Sequence, residues 1–80
     1  MEKTLTSKAH AKLVRILIDK REAAGVTQTE LAGRLGEYQS FVARLESGQR
    51  RIDVVELVEI GNALGVDPTS IVKELLDLDK

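Results

Sequence analysis

The sequence has no cysteine and no tryptophan, and only one proline, one histidine, one tyrosine and one phenylalanine. Without cysteine there is no disulfide frame, no thiolate metal site and no thiol nucleophile. The single histidine, His10, has no carboxylates at ligating spacing around it, so no metal site is expected. As a polar residue on a helix it is expected to be solvated. No apolar run approaches the length needed to span a bilayer, and the N-terminus, MEKTLTSK, has no signal-peptide core. Sustained alternation of apolar and polar residues is missing, as are Asn-Gly and Asp-Gly turns, so strands are not expected. These absences leave a small, soluble, cytoplasmic, all-α protein without a cofactor or small-molecule substrate.

What is present can still build a core. Apolar residues make up 42% of the 80, but aromatics only 2%, so the interior must come from Leu, Ile, Val and Ala. A chain of this length forms one small domain, expected over 1–80 with residues 1–6 as a flexible tail. The formal net charge of −1 is unevenly distributed. Residues 1–33 hold six basic and four acidic side chains, residues 34–52 four and two, and residues 53–80 two and seven. The acidic excess lies in the last third, so a nearly neutral chain can present a basic face.

Helical periodicity predicts five helices. The first runs from about Ser7 to Ala24, capped by Thr6 or Ser7, with Leu13, Ile16 and Leu17 inward and Gly25 as its stop. Thr27-Gln28-Thr29-Glu30 is a capping-box pattern that opens the second, whose inward residues are Leu31, Ala32 and Leu35, with Gly36 at its end. The third spans about Gln39 to Ser47. Asp53-Val54-Val55-Glu56 repeats the capping box and opens a fourth helix to Leu64, stopped by Gly65. Asp67-Pro68 opens the fifth, with aspartate as N-cap and proline at the first helical position.

Helices two and three are joined by a few residues around Gly36. A link that short requires a steep crossing over a small residue, here Ala32, with Val42 and Leu45 anchoring the third helix. The pattern over Gln28–Ser47 is that of a helix-turn-helix. At about 100° per residue, Val42, Leu45 and Glu46 share the inner side of the third helix, while Ser40, Ala43, Arg44 and Ser47 point away. Gln39 and Phe41 lie at the margins. An idle helix face is usually filled with Glu and Lys. Short side chains instead permit close approach of another body, and Gln39 and Arg44 are suited to reading base edges.

From about Leu13 to Ile71 the chain resembles the lambda-repressor-like, Cro/repressor-type (XRE-like) helix-turn-helix family. The motifs GVTQTELAGRLG, QSFVARLESG and IDVVELVEIGNALGVDP, in that order and spacing, carry the likeness. The resemblance implies a five-helix domain that binds double-stranded operator DNA, usually as a two-fold dimer. It implies base-reading positions at Gln39, Ser40, Ala43 and Arg44. Gln28 would touch a phosphate and brace Gln39 across an adenine, and Arg44 would suit guanine. Arg50 and Arg51 would meet backbone phosphates, with Ser47 also a backbone or bracing residue. Glu46, on the core side, would form a structural ion pair with Arg21. Tyr38 stands where a small capping residue or proline is common, and Glu37 adds a carboxylate beside the third helix.

Ile71, Val72, Leu75, Leu76 and Leu78 cover more of the fifth helix than one core contact needs; part of this surface is expected at a homodimer interface, the alternative being simple packing on helices one and four. The leading functional expectation is a transcriptional regulator of the repressor type that reads the major groove with helix three. The alternative is an antitoxin or other protein-interaction module with DNA binding secondary. An enzyme is not expected, because no nucleophile–base pair, metal cluster or phosphate-cradling glycine loop is present.

Overall fold

A computed structural model describes residues 7–77 and places five helices there: α1 (Lys8–Ala23), α2 (Gln28–Leu35), α3 (Gln39–Glu46), α4 (Val54–Leu64) and α5 (Pro68–Leu76). Four of them start on a side-chain acceptor. Ser7 accepts from the His10 N–H, and Asp67 from the Thr69 N–H with Pro68 in the first turn. Thr27 with Glu30 and Asp53 with Glu56 form complete capping boxes. Each such cap satisfies backbone donors that a helix start leaves open and is worth about 1 kcal/mol. The exception is α3, where Tyr38 at the N-cap makes no side-chain cap bond.

The α2–α3 connection needs a left-handed residue, and Gly36 supplies it at φ 70°. Its N–H and that of Glu37 return to carbonyls of the last turn of α2. This stops the helix and turns the chain into α3 within three residues. Gly61 has another purpose. A Cβ there would lie 2.8 Å from Pro68 Cγ and 3.0 Å from the Val66 carbonyl, so the α4–α5 turn closes over the missing side chain.

The core is aliphatic, as the composition requires. Val42 and Ile71 are fully enclosed, and Leu17, Ala32, Leu45 and Ile60 nearly so. Leu13, Leu35, Phe41, Ile52, Leu57 and Leu75 pack around them. α3 sits between α2 and α1, α2 also rests on α4, and α5 closes the far side against α1 and α4. Two polar ties lock the outer helices. Arg34 donates to the Ala63 carbonyl at 2.8 Å, and Lys20 pairs with Glu74 at 2.7 Å.

Two expectations require correction. His10 is buried, not solvated, with 7% of its surface exposed. It precedes Val14 by four residues and Leu17 by seven, which puts all three on the inward stripe of α1. Ile71, expected at a dimer interface, is 0% exposed and fills the monomer's own core, leaving no surface for a partner. Thr6 as a cap, the tail at residues 1–6 and the interface role of Leu78 lie outside the described residues.

Candidate nucleic-acid interface

α3 owes its position to the apolar residues on its inner side. Val42 is wholly buried and Leu45 is 2% exposed, which sets the rotation of the helix on α2 and α1. Burying such a side chain fully is worth about 1.5–3 kcal/mol, enough to hold one helix face inward. The opposite strip is consequently turned to solvent. Gln39, Ser40, Arg44 and Ser47 are exposed and Ala43 is half-buried. The strip is thus two small residues between a glutamine and an arginine. Among the described residues, Arg44 has no ion-pair partner. Ser47 turns its hydroxyl back to donate to the Arg44 carbonyl at 3.0 Å, closing the C-terminal turn of α3.

Behind the strip runs a continuous polar chain. Arg21 donates through Nε to Glu46 Oε2 at 2.6 Å and through Nη2 to Oε1 at 3.0 Å, while Nη1 holds the Val26 carbonyl at 2.8 Å. Both partners are largely shielded, with side chains 12% and 6% exposed. The hydrogen bonds to Glu46 raise the Arg21 pKa above its ordinary value against the opposing effect of burial. Gln28 Nε2 then donates to Glu46 Oε1 at 3.0 Å, and Gln39 Nε2 donates to Gln28 Oε1 at 2.7 Å. Four side chains from three helices and the α1–α2 turn are joined between the interior and the outward edge of α3. The Gln28–Glu46 bond is not foreseeable from the sequence. The 18-residue separation gives no local cue, and only the packed geometry of α2 and α3 brings the two together.

The remaining basic residues divide. Arg51 is exposed and, among the described residues, has no ion-pair partner. Arg50 instead lies over the Phe41 ring, 4.7 Å from its centre, and approaches Glu56 Oε2 at 3.0 Å, a charge contact without hydrogen-bond geometry. Phe41 therefore packs on the core and carries an arginine on its outer face. Glu56 already serves the α4 capping box, so a single carboxylate ties the α3–α4 loop to the start of α4. Tyr38, at the head of α3, is 84% exposed. Glu37 is exposed and lines a shallow cleft with Leu35, Phe41, Glu56, Glu59 and Ile60.

On α5, Val72 and Leu76 are 41% and 77% exposed, whereas Leu75 is half-buried against the core. Sequence reasoning misses a patch on α4, where Val54, Val55 and Val58 are exposed at 75%, 68% and 41%. Their spacing puts them on one helix face, a cue the sequence already holds. No helix among the described residues is long and apolar enough to cross a membrane.

This arrangement has counterparts among known proteins. Residues 17–71, more than half of the chain, match the helix-turn-helix family profile. A curated protein of Sinorhizobium fredii, the uncharacterized HTH-type transcriptional regulator y4dJ, is 38% identical over 52 residues, covering 65% of this chain and 68% of that protein. The structure of an XRE-family like protein from Pseudomonas syringae pv. tomato superposes with a TM-score of 0.84 at 39% identity, over 90% of this chain and 88% of the other. The clp gene regulator ClgR from C. glutamicum superposes with a TM-score of 0.79 at 24% identity, over 90% of this chain and 94% of that one, a likeness of fold alone. With its five helices, its α2–α3 turn at Gly36 and these relatives, the chain belongs to the XRE-like helix-turn-helix DNA-binding family.

Proposed function

We propose that the chain is a sequence-specific transcriptional regulator that binds double-stranded DNA as a homodimer on an inverted-repeat operator, with α3 in the major groove. The observation that carries this reading is the outward strip of α3. Gln39 is braced by Gln28 at 2.7 Å, next to the short side chains Ser40 and Ala43 and to Arg44, which has no ion-pair partner among the described residues. Short residues let the helix axis approach base edges, and glutamine and arginine match the acceptor and donor patterns presented there. Arg51 adds a phosphate contact beside the groove. Arg50, engaged with Phe41 and Glu56, acts chiefly to hold the loop.

Two copies joined through Val72, Leu76 and their neighbours on α5 would set the two α3 helices about 34 Å apart, one turn of duplex. Such a regulator acts in the cytoplasm. The exposed valines of α4 favour one second reading, a protein-interaction module such as an antitoxin with DNA binding secondary. Selection from a random duplex library at moderate salt separates the two. The regulator enriches an inverted repeat. No enriched motif, together with a co-purifying protein seated on α4, favours the second reading.

A further inference from the structure

The polar chain behind α3 has a direction, and the direction originates at Glu46. A carboxylate paired with arginine offers acceptors only. Gln28, bonded to Glu46 Oε1 at 3.0 Å, must therefore present its amide nitrogen to it, which turns the Gln28 carbonyl oxygen outward. Gln39 answers that oxygen with its own nitrogen at 2.7 Å. One N–H of Gln39 is then taken. What remains to face a ligand is one N–H donor and a carbonyl acceptor, side by side in a fixed order.

We propose that Glu46 is a specificity-determining positioning residue. Through Gln28 it sets the amide polarity of Gln39, so that the last amide in the chain selects adenine over guanine. This rests on the reading that α3 enters the major groove with Gln39 at a base edge. Adenine offers a donor at N6 and an acceptor at N7, which the free oxygen and remaining N–H of Gln39 match. Guanine offers two acceptors, O6 and N7, and the Gln39 carbonyl would oppose one of them. Inverting Gln39 to avoid this would set its oxygen against that of Gln28. Inverting Gln28 as well would set its oxygen against the Glu46 carboxylate. Every inversion leaves an acceptor facing an acceptor, and the last falls on a carboxylate 6% exposed and held at both oxygens by Arg21. A residue with no direct access to DNA thus determines which base is read.

The test uses labelled duplexes built on the enriched site, with each base pair of a half-site exchanged in turn. Gln39→Ala first locates the pair that Gln39 reads, as the one whose preference it erases. At that pair the native protein is expected to prefer A·T over G·C by about 5- to 150-fold. Glu46→Gln lets position 46 present either a donor or an acceptor, and Gln28→Met removes the link while leaving the Arg21–Glu46 pair intact. Both are expected to bring that preference down towards parity through gain of guanine binding. Circular dichroism reports folding, and if Glu46→Gln fails to fold, Gln28→Met decides alone. A purely structural role would weaken every duplex alike, so folded variants that lose affinity but keep the A·T to G·C ratio overturn the proposal. If Gln39→Ala erases no preference at any pair, the placement of Gln39 at a base edge fails, and this proposal with it.

Discussion

Arg21 on α1 and Glu46 on α3, 25 residues apart in sequence, meet through two bonds of 2.6 and 3.0 Å in a largely shielded space. Removing one partner from such a pair strands the other charge without water. Arg21→Ala is therefore expected to destabilise the domain by about 3–5 kcal/mol, a large share of the roughly 5–15 kcal/mol available to a small protein. Urea unfolding followed by circular dichroism measures it. A loss no larger than that of an exposed pair such as Arg15–Asp19 would mean that water reaches Glu46 freely.

Two glycines inside helices should respond oppositely to alanine. A Cβ added at Gly33 in α2 would meet nothing within 4 Å, so Gly33→Ala should stabilise by about 1 kcal/mol. At Gly61 in α4 the added Cβ would meet Pro68 Cγ at 2.8 Å and the Val66 carbonyl at 3.0 Å, and Gly61→Ala should destabilise by about 1–3 kcal/mol through overpacking. The two melting temperatures, compared with that of the native chain, give the signs directly.

The capping carboxylates make stability depend on pH. Backbone and side-chain bonds from Thr27 hold Glu30 below the usual carboxylate range, and those from Thr69 do the same for Asp67. A lowered folded pKa means that the unfolded chain binds the proton first. The contribution is fully present above the unfolded values of about 4.3 and 3.9 and is lost as pH falls through the folded ones. Tm should drop below about pH 5, and a Glu30→Gln, Asp67→Asn double variant should show a shallower slope there. Parallel curves for the two proteins would remove these caps as a source of acid sensitivity.

Arg44 and Arg51 are both exposed, but they should differ in what their loss does to recognition. Arg44→Ala should relax preference at one base pair per half-site, by about 1–3 kcal/mol of discrimination. Arg51→Ala should weaken binding to all sequences about equally. Competition binding with point-substituted duplexes distinguishes them, and identical profiles would contradict the division between base edge and phosphate.

Leu76 is 77% exposed on α5. If α5 joins two copies, Leu76→Glu buries a carboxylate against its symmetry mate and should shift the sedimentation profile from dimer to monomer. An unchanged dimer would move the interface elsewhere, with Val54, Val55 and Val58 of α4 the next surface to substitute.

Local signals carried most of the fold. Thr27/Glu30, Asp53/Glu56, Asp67-Pro68 and Gly36 each act within a few residues, and each marks a helix end where the chemistry says it should. The strip on α3 was legible for the same reason, since helical phase alone turns Ser40 and Arg44 away from Val42 and Leu45. What escaped depends on distance in sequence or on competition for one face. His10 follows the phase of Val14 and Leu17, but its polarity argued the other way. Ile71 and Leu76 look equivalent on paper, and only the packing of α5 decides that one is enclosed and the other open. Nothing local says that Arg50 turns to Phe41 and Glu56, or that Gln28 reaches Glu46 as well as Gln39.

The Gln28–Glu46 bond couples events that look unrelated. α1 carries none of the side chains placed at a base edge, yet its Arg21 fixes the far end of the chain leading to Gln39. Thermodynamic reciprocity then runs both ways. A duplex that grips Gln39 in its set orientation also favours the docking of α1, and should slow amide hydrogen exchange around Arg21 without touching it. Conversely, on the proposed reading, a chain in which α1 has come loose keeps its arginines and its attraction to phosphate, but holds Glu46, and through it the amide of Gln39, less firmly.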